Sequence, residues 1–139
     1  MSVPKIALDE NPSIDDFRVV LDGLRKFNRE QTGDERPRQV AFFLRDEGRI
    51  VGGLQGNLWG RSTHIDALWV DEKYRGAGYG TKLMKAIEDY AVTHDHPLVY
   101  VETTSFQALP FYRGLGYEVF GQLPGISEGH TLFFLFKKL

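Results

Sequence analysis

Three glycines at alternate positions, Gly76, Gly78 and Gly80, mark the junction between a strand-like run, His64–Val70, and a helix-like one, Tyr79–His94. That junction limits the possible folds more than any other stretch of the chain. Leu83, Met84, Ile87, Tyr90 and Ala91 recur at helical spacing after the glycines. Leu98–Thr103 is strand-like again, so the segment is a strand–helix–strand unit. Ahead of it, Val40–Arg45 and Ile50–Trp59 flank Asp46-Glu47-Gly48, the residues of a tight hairpin turn. The first half is therefore an antiparallel meander that His64–Val70 completes.

The remaining segments follow the same logic. Lys5–Leu8 is short and apolar enough for an edge strand. Asn11-Pro12 reads as an N-cap with proline at the first helical position, and Asp15 and Asp16 suit the first turn. Ile14, Phe17, Leu21, Leu24 and Phe27 form a helical stripe that Gly33 can terminate. Gln107–Arg113 is expected to be a short helix, Tyr117–Phe120 a strand, and Thr131–Phe136 the closing strand. That last run is apolar at both alternating sets of positions, which predicts a strand covered on both faces. The fold class is α/β. At 139 residues the chain can bury one core but not two, so 1–139 is expected to be a single domain.

Composition narrows the function. The net charge of −2 argues against a protein whose main task is gripping nucleic acid, and no basic stripe lies beside Phe42, Phe43, Trp59 or Trp69. With no cysteine, disulfides, thiolate nucleophiles and Cys-based zinc sites are excluded. MSVPKIALDEN lacks a basic leader and an apolar stretch, and the longest apolar run is Leu132–Phe136. A membrane-spanning helix needs roughly 20 apolar residues, so a cytoplasmic protein without membrane attachment is expected. His94, Asp95 and His96 follow a helix without a third ligand at a suitable spacing, and His130 is alone. They read as polar turn residues, with no metal.

The glycine-rich junction has the features of an anion site. Backbone N–H groups in such a loop converge, the following helix adds the positive end of its dipole, and glycine lets a ligand approach the backbone. Arg75 at the entrance adds charge. A P-loop requires Gly-Lys-Ser/Thr, whereas the order here is Gly80-Thr81-Lys82. The glycine spacing also fits a dinucleotide fingerprint poorly. A phosphate or pyrophosphate is the expected ligand.

Arg75-Gly76-Ala77-Gly78-Tyr79-Gly80 resembles the Q/R-x-x-G-x-G/A signature of the GNAT superfamily of N-acetyltransferases. Ser105-Phe106-Gln107-Ala108-Leu109-Pro110-Phe111-Tyr112-Arg113-Gly114-Leu115-Gly116-Tyr117 resembles the family's N-x-x-A-x-x-F-Y-x-x-x-G-F segment, with Ser105 where many members carry a coenzyme-contacting Asn. The resemblance implies a mixed, strongly bent sheet of six or seven strands flanked by helices, with two splayed parallel strands holding acetyl-CoA. It implies that the backbone of Leu68, Trp69 and Val70 binds the pantetheine and acetyl carbonyl. Arg75, Gly76, Ala77, Gly78, Tyr79, Gly80 and Thr81 would cradle the pyrophosphate, and Tyr112 would lie near the thioester sulfur.

Acetyl transfer to an amine needs a neutral nucleophile, although an alkyl ammonium titrates near 10, as a lysine does. It also needs a proton for the departing thiolate. Tyr112 is the candidate acid. His64 is the candidate base because it titrates near neutrality. Asp66, two residues along the same strand and so on the same side, would orient His64 or bind a cationic acceptor. Glu102 is a weaker candidate for acceptor binding. The expected function is transfer of acetyl from acetyl-CoA to a primary amine of a small molecule or peptide, in a ternary complex and with a homodimer as the favoured assembly. A non-catalytic acyl-CoA-binding or sensing module is the alternative, and a plain interaction domain with no coenzyme site is a third.

Overall fold

The computed structural model describes residues 2–33, 36–106 and 108–139, and the chain divides into two compact units at Arg36/Pro37. The first unit holds α1, Ile14–Thr32. The Ser13 side chain caps it by accepting from the Asp16 N–H at 3.0 Å, so the cap lies one residue beyond Asn11-Pro12. A hydroxyl three residues before an N–H in the first turn meets the capping geometry, which a proline at the preceding position cannot supply. Asp15 and Asp16 do occupy the first turn, and Gly33, at φ 84°, ends the helix. Lys5–Leu8 forms no strand: no other described strand pairs with it, and Val3, Ile6 and Leu8 are exposed.

The second unit contains β1 (Arg38–Asp46), β2 (Arg49–Trp59), β3 (Ser62–Val70), α2 (Tyr79–Thr93), β4 (Leu98–Thr104), α3 (Leu109–Gly114), β5 (Glu118–Ser127) and β6 (His130–Lys138). The strands form one sheet in the order β1-β2-β3-β4-β6-β5. β1, β2 and β3 are the expected antiparallel meander. Between β1 and β2 the turn residues Glu47 and Gly48 both have positive φ (49° and 78°), the tight hairpin geometry that matches strand twist. β3 and β4 are parallel, and α2 is the crossover between them.

Alternate residues of the strands point at α2 and α3. Leu54, Leu58, Val99, Leu135, Met84 and Ile87 are wholly buried, and Tyr112 and Tyr117 join the same cluster. Each such aliphatic side chain contributes about 1.5–3 kcal/mol relative to exposure. At the edge of this core, Glu88 of α2 accepts from Tyr117 Oη at 2.7 Å and from Lys137 Nζ at 3.1 Å, joining the helix to the start of β5 and to β6.

Two expectations need correction here. β5 runs to Ser127, well past Phe120, because an edge strand tolerates Gly121, Pro124 and Gly125, which read as a loop in sequence. β6 is flanked by β4 and β5, and its two faces are unequally covered. Leu135 is fully enclosed, whereas Phe134 and Phe136 are half-buried on the other face beside the Phe120 ring, with centroids 6.2 and 5.6 Å away. Within this unit the apolar character of that second face serves an aromatic cluster. The short helix α3 begins at Leu109; Gln107 lies outside the described residues.

Candidate active site

β3 and β4 pair only over Ser62–Ile65 and Leu98–Val101. β2 stays with β3 as far as Val70, and β6 stays with β4 as far as Thr104, so the two parallel strands part beyond Ile65 and Val101. The local cause is a β-bulge. Gly56 faces Ile65 and Gln55 faces Ala67, which leaves Asp66 as the extra residue. Bulges bend a strand and end its pairing. This one also reverses the alternation: Thr63 and Ile65 are buried before it, and Leu68 and Val70 pack inward after it. The parting opens a cleft of about 730 Å³, lined by Ile65 to Val70, Arg75, Val101, Glu102, Phe106, Ala108 and Tyr112. Leu68, Trp69 and Val70 thus line it along a stretch of β3 with no ladder partner on the β4 side.

The glycine loop follows directly. Asp71 N–H donates to Val51 O at 2.8 Å, and a single 3-10 turn, Glu72–Tyr74, leads to Arg75. The Tyr74 hydroxyl donates to Asp46, tying the loop to the β1–β2 hairpin. Arg75 Nε donates to Val70 O at 2.8 Å, which fixes the guanidinium at the cleft edge. Gly76 and Gly78 have φ of 78° and 84°, in the left-handed region that favours glycine. Gly78 caps α2, and Lys82 N–H is the first to bond back into the helix, to Gly78 O at 3.1 Å. The N–H groups of Gly78, Tyr79, Gly80 and Thr81 therefore have no intrahelical acceptor. Gly80 has a different reason to be glycine: a Cβ there would lie 3.3 Å from Phe111 Cζ, so its role is close packing of α2 on α3.

Three titratable side chains meet at the mouth of the cleft. His64 Nδ1 lies 2.5 Å from Asp66 Oδ1, and Nε2 lies 2.6 Å from Glu102 Oε2. Each ring nitrogen thus faces a carboxylate oxygen, an arrangement that favours the doubly protonated ring. Burial lowers the proton affinity of His64, but the hydrogen bonds and charges of Glu102 and Asp66 outweigh it and the net shift is upward. In that protonated form neither nitrogen keeps a lone pair, so the two carboxylates govern when His64 can accept a proton. Glu102 is the residue that sequence weighting undervalued. Its partnership with His64 depends on the β3–β4 register, in which His64 faces Tyr100, and on the same-side placement of Tyr100 and Glu102 along β4.

Tyr112 lies on α3, buried against Phe111 and Tyr117, with ring centroids 5.2 and 5.9 Å apart. It lines the cleft, and burial pushes its phenol up to about 12. Ser105 is not brought into the cleft. Its hydroxyl accepts from Thr131 N–H at 3.1 Å and lies 3.2 Å from His130 Nδ1. His94 and Asp95 form the turn after α2, where His94 stacks on Tyr90 at 3.9 Å and Asp95 pairs with Arg61.

Comparison with known proteins agrees with this geometry. The family model described as "Acetyltransferase (GNAT) family" matches residues 8–117. The blasticidin-S acetyltransferase of Streptomyces morookaense is 33% identical over 123 residues, covering 84% of this chain and 88% of the relative. The crystal structure of an acetyltransferase from Bacillus cereus superposes with a TM-score of 0.82 at 31% identity, covering 96% of this chain and 98% of that one. A Bacillus anthracis protein assigned as a streptothricin acetyltransferase, solved with acetyl coenzyme A, shares the fold at a TM-score of 0.65 and 21% identity, covering 73% of this chain and 63% of that one.

Proposed function

The chain belongs to the acetyltransferase (GNAT) family of acyltransferases, and on that premise we propose that it moves the acetyl group of acetyl-CoA directly to a primary amine of a small molecule. Residues 1–139 act as one acetyltransferase domain, since the family match runs across the boundary at Arg36. A small-molecule acceptor is supported by the relative named for blasticidin-S, and acetyl-CoA by the fold neighbour solved with it.

The observation that carries the assignment is the opening between β3 and β4. It leads into a loop and helix start at which the N–H groups of Gly78 to Thr81 have no intrahelical acceptor, and Tyr112, Asp66 and Glu102 line it. Acetyl-CoA, when bound, supplies the activated acyl group as a thioester. The residues present fit such a molecule. Leu68, Trp69 and Val70 offer an unpaired strand edge to an extended chain bearing amides. The N–H groups of Gly76 to Thr81 and the Arg75 guanidinium suit its phosphates.

The cluster of His64, Asp66 and Glu102 carries one positive and two negative charges, a net attraction for an ammonium. A cationic acceptor entering beside Asp66 repels the imidazolium and lowers its proton affinity. His64 then releases one proton to solvent water, and the freed ring nitrogen takes a proton from the acceptor ammonium to leave a neutral amine, so binding itself prepares the base. Tyr112 holds its proton through the neutral range and stands where a departing thiolate can be neutralised. The burial that raises the phenol raises the proton affinity of a thiolate in the same cleft, so the transfer is not opposed.

Thermal unfolding with and without acetyl-CoA tests this, with ATP and NAD as controls. A ligand at about 100 times its Kd adds roughly 2.7 kcal/mol. For a chain of this length that raises the midpoint by roughly 8–13 °C. A rise with acetyl-CoA alone, followed by thiol release with an amine, is the expected result. Equal responses to all three ligands, or none, overturn the assignment, and a rise without turnover of any amine leaves the sensing module in its place.

A further inference from the structure

The sheet face turned away from α2 and α3 carries a polar row. Gln39 on β1, Asn57 on β2, His64 on β3 and Tyr100 on β4 are successive cross-strand partners. In the neighbouring row Gln55 stands between Ala41 and Ala67, two side chains short enough to leave a depression. A pocket of about 330 Å³ occupies it, lined by Gln39, Val40, Ala41, Gln55, Gly56 and Asp66. Asp66 also belongs to the lining of the larger cleft, so the two spaces meet at its carboxylate. The bulge is what lets one side chain serve both.

Among the described residues Asp66 is the only charged group in the pocket lining, beside the carboxamides of Gln39 and Gln55, which donate and accept without net charge. Both carboxamides are on the exposed side of the sheet, where a ligand can reach them. At the ~30 Å³ that a water occupies in the liquid, the pocket has room for about ten non-hydrogen atoms. That volume suits a small molecule, and the two carboxamides give it hydrogen-bonding partners.

We propose that Gln39 and Gln55 recognise the body of the acceptor while Asp66 receives its ammonium, so that the substrate is a small monoamine whose other end is neutral and bears hydrogen-bonding groups. This rests on the acetyltransferase assignment above. It disfavours polyamines, whose second charge would meet carboxamides among the described lining residues, and simple alkylamines, which would leave those carboxamides unpaired.

The test compares serinamide, pentylamine and 1,4-diaminobutane as acceptors in a thiol-release assay at saturating acetyl-CoA, for the wild type and for Gln39→Leu and Gln55→Leu. The wild type is expected to use serinamide with a kcat/KM at least tenfold above the other two. Each variant is expected to raise KM for serinamide about tenfold while KM for pentylamine does not rise. Gln39 and Gln55 are both exposed, so neither variant removes core packing. Equal preference among the three amines, or variants that change all acceptors alike, overturns the proposal. Loss of the acetyl-CoA thermal shift in the wild type would instead overturn the assignment beneath it, so the two failures are separable.

Discussion

Replacing Gly78 by alanine isolates the geometry on which the proposed phosphate site depends. Gly78 caps α2 at φ 84° and ψ 9°, and no atom lies within 4 Å of the position a Cβ would take. The substitution therefore meets no steric clash, and its whole cost is conformational. An L-residue held in the left-handed region costs roughly 1–2 kcal/mol, and alanine returns about 0.4–1 kcal/mol by restricting the unfolded chain. The net destabilisation is about 1 kcal/mol, or about 3–5 °C in the unfolding midpoint for a chain of this length. Gly78→Asn is the control, because asparagine enters this region far more readily than alanine. Differential scanning calorimetry should rank the midpoints wild type, Asn, Ala. Were the loop of the alanine variant to escape strain by turning to negative φ, the N–H groups at the start of α2 would rotate with it, and the midpoint rise with acetyl-CoA would be lost. A variant with both a wild-type midpoint and a wild-type response to acetyl-CoA would falsify the reasoning.

Other expectations follow from the same coordinates. Tyr112→Phe removes the only proton the residue can give, so kcat should fall by about 10²–10⁴ while the acetyl-CoA thermal shift is retained; wild-type turnover would remove Tyr112 from the chemistry. The proton affinity of His64 is raised in the folded state, so its stabilising contribution is full below pH 6.5 and is lost as pH rises through the raised value. His64→Gln should thus lose most stability on the acid side and approach the wild type at alkaline pH in chemical denaturation, and a constant deficit across pH would contradict the ion pairs. Ile87 is wholly buried, and its Cδ1 lies 3.3 Å from where a Gly56 Cβ would sit. The wall there is backbone and cannot collapse into a cavity, so Ile87→Ala should cost about 3–5 kcal/mol, measured by urea unfolding.

Much of this architecture was legible because local rules and tertiary demands coincide. The hairpin at Glu47-Gly48, the α2 stripe through Leu83, Met84 and Ile87, and the Gly33 stop are short-range features that the sequence states directly. The failures lie where partners are distant. Lys5–Leu8 has strand composition but no edge to join, and β5 continues through Pro124 because an edge strand needs no donor there. In the active site, period-two reasoning brought His64 and Asp66 together although the bulge interrupts the period between them. Glu102 could not be joined to them without the β3–β4 register. The second carboxylate raises the proton affinity of His64 further, and because it comes from β4 no spacing within β3 encodes it. Ser105 matched a family motif in position, yet its hydroxyl is committed to β6.

The early end of β3–β4 pairing makes the sheet two three-stranded halves, β1-β2-β3 and β4-β6-β5, sewn along a seam of four residues a side. Apart from that seam, α2 is the main tie across it, packing against β1, β2 and β3 while Glu88 reaches Tyr117 and Lys137 on the far half. Any ligand seated between the strands is then a third stitch. Breathing of the free enzyme should concentrate at Asp66–Val70 and Glu102–Thr104, with the ladders inside each half exchanging their amides far more slowly. Binding should slow exchange on both lips of the opening at once, so that the same gap that admits the substrate becomes, when filled, the place where the two halves are joined.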